Sequence, residues 1–226
     1  MSLTHRQRLY LQAMEIPIWE SRADKAPGQD AAVAAPIASL DWPALRAQVA
    51  GCQVCSLHKT RTQTVFGVGD VNAQLMIIGA APGEDEDLQG EPFVGRAGQL
   101  LNEMLFAMGL KREQIYIANI LKCRPPNDRD PLVEEAAKCK PYLLRQIEWV
   151  QPRLILAVGR VAAQNLLQSD VAIGELRGKV HDLPGAKVPL VATYHPADLL
   201  RSPLEKRKVW NDLRLVMQCM RTMAQA

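Results

Sequence analysis

The sequence from Gly79 to Gly98 reads GAAPGEDEDLQGEPFVGRAG, and this stretch decides how the fold is interpreted. The run QLMII at 74–78 before it is short, apolar and typical of a buried parallel strand. The run QLLNEMLFAM at 99–108 after it has apolar residues at helical spacing. A strand, a long loop rich in glycine and acid, and a helix are typical of a ligand site at the carboxyl end of a strand. An ordinary connecting loop is the alternative, but Phe93 is an unusual residue for a loop that only faces solvent.

Composition sets broad limits on the class of protein. The chain has 226 residues, of which 48% are hydrophobic, which suits one α/β domain with an appendage. No apolar run approaches the roughly 18 residues of a membrane span, and the N-terminus lacks the apolar segment of a signal peptide, so we expect a cytoplasmic protein. The net charge of +3 permits a polyanionic partner without requiring one.

The chain divides into three segments. Residues 1–19 are predicted to contain an amphipathic docking peptide, with apolar side chains between residues 4 and 19 that end at Trp19. Residues 20–40 are rich in alanine, proline and charge, which predicts a flexible linker because little apolar surface can be buried there. The folded domain is expected to span 41–226, with Asp41 as the N-cap of a helix over Trp42–Ala50.

Strands and helices are predicted to alternate in this domain. The predicted strands are 74–78, 114–119, 153–159 and 188–194, and the principal helices after them are 99–108, 132–150, 160–167 and 203–222. This alternation predicts a three-layer α/β/α sandwich with a central four-stranded parallel sheet.

Three strand ends are expected to deliver polar and aromatic groups to one edge of the sheet. They carry Phe93, Asn119 and His195. Taken singly, Asn119 could cap a turn and His195 could lie on a surface loop. Together an aromatic face, an amide and an imidazole suit a planar heterocycle with amide-like edges, such as a pyrimidine base. Arginines suited to phosphates surround them in the sequence: Arg61, Arg96, Arg124, Arg129 and Arg201.

Four of the five cysteines indicate a metal site. Cys52 and Cys55 form a C-x-x-C pair, and Cys123 and Cys139 follow downstream. Four thiolates in this arrangement can hold a [4Fe–4S] cluster or a structural zinc, whereas four unrelated buried thiols are the alternative. Because Cys123 begins a proline-containing loop rather than lying inside a strand, we favour metal. Cys219 is expected to lie on the apolar face of the last helix and to pack in the core.

Three motifs together resemble the family 4 uracil-DNA glycosylases. They are the 79–98 stretch, Asn119-x-x-x-Cys123-Arg124-Pro125-Pro126 and His195-Pro196-Ala197-x-Leu199-Leu200-Arg201. The cysteine spacing is also similar, and the resemblance covers about residues 45–222. It implies a uracil-DNA glycosylase-like fold, a [4Fe–4S] cluster on the four cysteines, and hydrolysis of the N-glycosidic bond of deoxyuridine in DNA during base excision repair. The implied partner is uracil-containing DNA, single- or double-stranded, bound by a monomer.

The resemblance also implies roles for individual residues. Phe93 would stack on the flipped uracil, Asn119 would pair with its polar edge, and His195 would stabilise negative charge on uracil O2. Gly79 and Ala81 would line the base site. The implied DNA-contacting residues are Arg96, Arg124, Leu199, Leu200 and Arg201, of which Leu199 or Leu200 would fill the space that the base leaves.

One position departs from the family pattern. The family usually has glutamate where this chain has Ala80. That glutamate is the natural candidate for activating water or supporting the sugar cation. Its absence is compatible with low activity, with a substitute carboxylate such as Asp85, or with an engineered substitution.

The N-terminal segment carries a second, shorter resemblance. Residues 8–22 are similar to the start of the psi subunit of the bacterial DNA polymerase III clamp loader, a peptide that binds the chi subunit. This resemblance implies chi as a partner of residues 4–19. It also gives an alternative function, a psi-like replisome adaptor with a weakened or inactive glycosylase body.

Overall fold

A computed structural model describes residues 37–186 and 188–225 of the chain. The expected docking peptide at 1–19 and most of the expected linker at 20–40 lie outside these residues.

The described part of the chain contains a six-stranded sheet in the order β1-β3-β2-β4-β6-β5. The four central strands pair in parallel and confirm the prediction. They are β2 (Leu75–Gly79), β3 (Tyr116–Asn119), β4 (Leu154–Val158) and β6 (Pro189–Thr193). Two edge strands that the sequence analysis did not predict pair antiparallel, β1 (Val68–Gly69) and β5 (Val180–Asp182).

Helices lie between and after the strands. Their bounds are α1 (Trp42–Ala50), α2 (Glu84–Gln89), α3 (Arg96–Ala107), α4 (Val133–Val150), α5 (Arg160–Leu167), α6 (Ile173–Leu176), α7 (Pro196–Arg201) and α8 (Lys206–Gln225). The short helices α2, α6 and α7 were not predicted, and the last helix begins at Lys206, after a 3-10 turn over Pro203–Glu205. None of the helices in the described residues is both long and apolar enough to span a bilayer.

Two apolar cores cover the two faces of the sheet. Met76 and Ile78 of β2 belong to one core, together with side chains of α4 and α5. Leu75 and Ile77 point the opposite way and belong to the other core, with side chains of α3 and α8. Alternation along one strand therefore buries both faces of the sheet, as expected when helices cover it on both sides. This arrangement confirms the α/β/α fold.

Residues 37–40, which the sequence analysis assigned to the linker, pack against the folded domain. Ile37 is 1% exposed, and the Leu40 carbonyl accepts hydrogen bonds from Arg145 Nε at 3.0 Å and Trp149 Nε1 at 3.1 Å on α4. Residues 37–40 were assigned to the linker because they continue an alanine- and proline-rich tract. The N-cap prediction holds, since Asp41 Oδ1 accepts from the Ala44 N–H at 2.8 Å.

A buried carboxylate joins α8 to the end of β6. Asp212 accepts from Arg177 Nε at 3.0 Å, from Arg177 Nη2 at 2.8 Å and from Thr193 Oγ1 at 2.7 Å. Thr193 is the last residue of β6 and lies two positions before His195. The network fixes the strand end that leads into the predicted site.

Replacing Asp212 with asparagine should destabilise the domain strongly, because Arg177 would lose its buried counter-charge. We expect a loss of about 3 kcal/mol in the free energy of unfolding, which for a domain of this size lowers Tm by about 6–12 °C. Thermal unfolding followed by circular dichroism measures this change. Thr193→Val is the matched control, since it removes one hydrogen bond and should cost about 1 kcal/mol. Equal losses in the two variants would contradict the importance of the ion pair.

Candidate active site

A pocket of about 520 Å³ lies at the carboxyl ends of the parallel strands. Phe93, Asn119 and His195 all line it, together with Ala80 and Ala81. The structure therefore brings together the three side chains that the sequence analysis placed at one edge of the sheet. This is the position at which open α/β sheets bind ligands.

Asn119 is the last residue of β3 and points a buried amide at this pocket. Its side chain is 2% exposed, and its Oδ1 atom has no hydrogen-bond partner within the described structure. An unpaired buried acceptor costs about 1–3 kcal/mol, so a ligand that donates an N–H here would recover that energy. A Cβ atom at Gly79 would lie 2.4 Å from Asn119 Oδ1 and 2.8 Å from Phe93 Cζ, so only glycine fits behind the two side chains.

Phe93 is held in an unusual backbone conformation beside the imidazole of His195. Its φ angle is +55°, and the two rings are stacked with centroids 5.5 Å apart and an interplanar angle of 29°. Helix α3 presses on the same residue, since a Cβ atom at Gly98 would lie 1.8 Å from the Phe93 carbonyl oxygen. The loop thus places one aromatic face at a fixed position in the pocket.

Glu86 holds the loop together, a role that the sequence analysis missed. Its carboxylate accepts hydrogen bonds from the N–H groups of Gly83 at 3.0 Å, Val94 at 3.0 Å and Gly95 at 3.2 Å. These contacts hold the chain on both sides of Phe93. The detectable signal was a glutamate three residues after Gly83, the spacing of a capping box. Asp87 also turns inward and accepts from the Thr62 N–H at 2.9 Å. Part of the acidic run therefore stabilises the loop instead of facing a ligand.

His195 presents a neutral imidazole that can donate a hydrogen bond. Its Nδ1 accepts from the Ala197 N–H at 3.1 Å, so in the neutral ring the proton is on Nε2. Burial lowers the pKa of His195, although the neighbouring Asp198 acts in the opposite direction. Gly159, with φ at +96°, lets the backbone approach the ring closely, since a Cβ there would lie 3.0 Å from His195 Cβ.

The four predicted cysteine ligands line one narrow cavity. Two N–H groups point at their sulfurs: Arg61 Nη1 lies 3.0 Å from Cys123 Sγ, and the Lys122 backbone nitrogen lies 3.3 Å from Cys139 Sγ. No group of three or more His, Cys, Asp or Glu in the described ranges is arranged to hold a metal ion. Cys219 packs against the core on the α8 side, away from this cavity.

Two of the predicted site residues do not lie where their roles require. Leu199 is 1% exposed and belongs to the core beneath α7, so it cannot reach DNA, whereas Leu200 beside it is 39% exposed. Asp85 is exposed on α2 and does not line the pocket, because its carboxylate lies over Gly95. The proposal of Asp85 as a substitute catalytic carboxylate is therefore wrong for this conformation.

Two of the three arginines predicted to contact DNA are paired with carboxylates. Arg124 Nε donates to Asp128 Oδ1 at 2.7 Å, and Arg201, which lines the pocket, is paired with Asp198. Arg96 is exposed at the start of α3, outside the pocket lining.

One pocket arginine was missed. Arg160 Nη2 donates to Asp130 Oδ2 at 2.6 Å, and both residues line the pocket. Sequence reasoning overlooked Arg160 because it treated the residue only as the start of a helix. Among the described residues, each carboxylate that lines the pocket already has a hydrogen-bond donor: Glu86, Asp128, Asp130 and Asp198.

Comparison with known proteins identifies the family. A model of the uracil DNA glycosylase superfamily matches residues 66–214. The type-4 uracil-DNA glycosylase of Archaeoglobus fulgidus is 47% identical over 175 residues, which cover 75% of this chain and 88% of that protein. The type-4 enzyme of Pyrobaculum aerophilum is 41% identical over 182 residues, covering 78% and 93%, and that of Thermotoga maritima is 44% identical over 156 residues, covering 69% and 81%. The chain belongs to the uracil DNA glycosylase superfamily and, within it, to the type-4 uracil-DNA glycosylases.

Proposed function

We propose that this chain hydrolyses the N-glycosidic bond of deoxyuridine in DNA, with the uracil flipped out of the helix into the pocket. The observation that carries the proposal is the unpaired Oδ1 atom of buried Asn119. Uracil has an N–H at N3 that can donate to this oxygen, whereas N3 of cytosine has no hydrogen. The pocket would therefore select the deaminated base by leaving Asn119 unpaired when cytosine enters.

Bond cleavage would rely on stabilising the departing base. The C1′–N1 bond breaks through a sugar with oxocarbenium character, and the electron pair leaves with uracil as a negative charge spread onto O2. The Nε2–H of His195 can donate to that oxygen, and a fixed donor is most effective where charge develops. Phe93 would stack on the base and fix its plane, so that O2 lies within reach of the His195 Nε2–H. Water then adds to C1′ to complete hydrolysis.

DNA outside the pocket would be held by the exposed groups of its rim. Leu200 is on the surface of α7 next to Arg201, where an apolar side chain can enter the space that the flipped base leaves. Arg201 is paired with Asp198, and Arg124 with Asp128 and Glu84, and both arginines would exchange these carboxylates for phosphates.

We also propose that Cys52, Cys55, Cys123 and Cys139 hold a [4Fe–4S] cluster. The chemistry of the donor set supports this assignment, since four thiols line one cavity. Burial raises the pKa of Cys123 and Cys139, and the N–H groups that point at these two sulfurs act in the opposite direction and favour the thiolate. The cluster would supply a structural link between the 52–55 segment and the loop that carries Arg124. A structural zinc on the same residues is the competing assignment.

We further propose, from the sequence resemblance alone, that residues 4–19 dock on the chi subunit of DNA polymerase III. These residues lie outside the described structure, and the proposal is independent of the enzymatic one.

His195→Ala should lower single-turnover excision of uracil by about 10²–10³-fold, the usual loss for one such donor. Binding of uracil-containing DNA should change far less, because the donor acts mainly on charge in the transition state. Since burial lowers the pKa of His195, excision by the unmodified protein should persist as the pH falls through the ordinary imidazole pKa of about 6.5. It should fall only at lower pH, when protonation of Nδ1 removes the acceptor for the Ala197 N–H and the ring loses the hydrogen bond that positions Nε2.

His181→Gln is the control, because His181 lies on the edge strand β5 and should leave excision unchanged. Absence of excision above background in the unmodified protein would contradict the proposed function. An excision rate that falls in step with protonation near pH 6.5 would contradict the neutral, low-pKa imidazole.

Ala80→Glu should raise the single-turnover rate, because each carboxylate that now lines the pocket among the described residues is engaged elsewhere. A positioned general base contributes roughly 10²-fold or more, so a gain of about that size is expected. Ala80→Gln has the same shape without the base and should give no such gain. If glutamate and glutamine variants behave alike, water activation is not what position 80 controls. If none of the three proteins excises uracil, the adaptor alternative is favoured.

The purified protein should be brown, with broad absorbance near roughly 400 nm, as expected for a thiolate-bound iron–sulfur cluster. Iron and sulfide analysis should give the stoichiometry of one cluster per chain. Cys123→Ser should lose colour and stability together, whereas Cys219→Ser should retain both, because Cys219 is remote from the cavity. A colourless protein with one zinc per chain would overturn the cluster assignment.

A further inference from the structure

A second cavity, of about 510 Å³, adjoins the active pocket between α4 and α5. The two cavities share a wall, because Asp130, Pro131, Arg160 and Val161 line both. A DNA strand whose uracil occupies the first pocket therefore has a direct continuation into the second.

The lining of this second cavity combines apolar surface with polar ends. Leu143 and Leu144 of α4 and Leu166 of α5 supply the apolar part, while Lys140 and Gln164 supply the polar part. Val133 at its border is 87% exposed and extends the apolar lining to the surface. A concave apolar site with a few polar groups is the ordinary form of a site for a small planar ring.

The wall that the two cavities share contains Arg160, a cation that can bind a phosphate. Arg160 is bound to Asp130 at 2.6 Å, and both side chains are more than half exposed. An exposed ion pair contributes only about 0–1 kcal/mol, so a phosphate can replace Asp130 as the partner of Arg160 at little cost. A phosphate joins any two neighbouring nucleotides. If the two cavities hold the bases of two such nucleotides, the phosphate between them lies near Arg160, which lines both cavities.

We propose that the second cavity binds the nucleobase next to the uracil on the same strand, and that Arg160 contacts the phosphate between them. This inference rests on the proposed function. It requires a strand whose bases are unstacked at that step, and stacking or burial of one base in such a site contributes about 1–3 kcal/mol. The ligand is thus a dinucleotide unit of single-stranded or locally opened DNA.

The test compares two kinds of uracil oligonucleotide. One is intact. In the other, an abasic tetrahydrofuran residue replaces the nucleotide on the 5′ or the 3′ side of the deoxyuridine, so that the flanking base is missing. Excision is measured as kcat/KM, and equilibrium binding is measured in the His195→Ala background, so that affinity is tested even without turnover. The variants are Ala137→Phe, which fills the cavity from an exposed position of α4, and Arg160→Gln. Circular dichroism checks that both are folded.

For the unmodified protein, loss of the base on one side should lower kcat/KM and affinity by about 10-fold. Ala137→Phe should lower kcat/KM and affinity for the intact substrate by about 10-fold. Removal of the flanking base should cause no further decrease in this variant. Arg160→Gln should weaken both substrates and reduce the salt dependence of binding by about one phosphate contact. Arg214→Gln on α8 is the matched control and should change neither.

The inference is overturned if removing the flanking base costs the unmodified protein nothing, or costs Ala137→Phe as much as the unmodified protein. The second cavity would then serve another occupant, such as an apolar peptide. If the unmodified protein excises uracil at a rate that does not depend on the flanking base, the flanking-base site is wrong and the proposed function stands. Absence of excision from the intact substrate defeats the proposed function, and the binding comparison still decides whether the cavity accepts a base.

Discussion

The arrangement of the site depends on the hydrogen bonds of the buried Lys122 ammonium group. Its Nζ donates to the Asn119 carbonyl at 2.8 Å and to Gln146 Oε1 at 2.6 Å, and Gln146 in turn donates to the Phe66 carbonyl at 2.9 Å. Burial lowers the pKa of Lys122 to about 8, and these hydrogen bonds give the buried ammonium group the partners that bulk water would otherwise supply. Because the backbone N–H of Lys122 also reaches Cys139 Sγ, one residue connects the end of β3, helix α4 and the cysteine cavity.

Around this centre, the chemistry of the pocket is divided between strand ends and one loop. Asn119 is the last residue of β3 and His195 follows β6, and both apolar cores fix the positions of these two parallel strands. Phe93 comes from a loop with no strand to position it, and the Glu86 carboxylate supplies the missing constraint through three backbone N–H groups. The rigid part of the fold therefore supplies the hydrogen-bonding groups, and a locally folded loop supplies the stacking surface.

The sequence predicted the features that depend on long apolar runs and missed those that depend on local geometry. The four parallel strands were predictable because both of their faces are buried, and the meeting of Asn119 with His195 follows from strand direction. Strands β1 and β5 have two and three residues, too few for any periodicity. The choice between Leu199 and Leu200 depends on the phase of the six-residue helix α7, which adjacent identical residues cannot reveal. Arg160 was missed because its position between two cavities follows only from the folded structure.

The strained backbone of Phe93 is stabilised by the burial of its own side chain. A φ of +55° is strained for a side chain with a Cβ, and such strain costs on the order of 1 kcal/mol or more. Glycine would relieve the strain and remove the aromatic face in the same step. Phe93 is 6% exposed and belongs to the core that α3 and α8 cover, so loss of its ring would cost about 3–5 kcal/mol, more than the strain that glycine relieves. The stability of the fold and the presence of the aromatic face therefore depend on the same side chain.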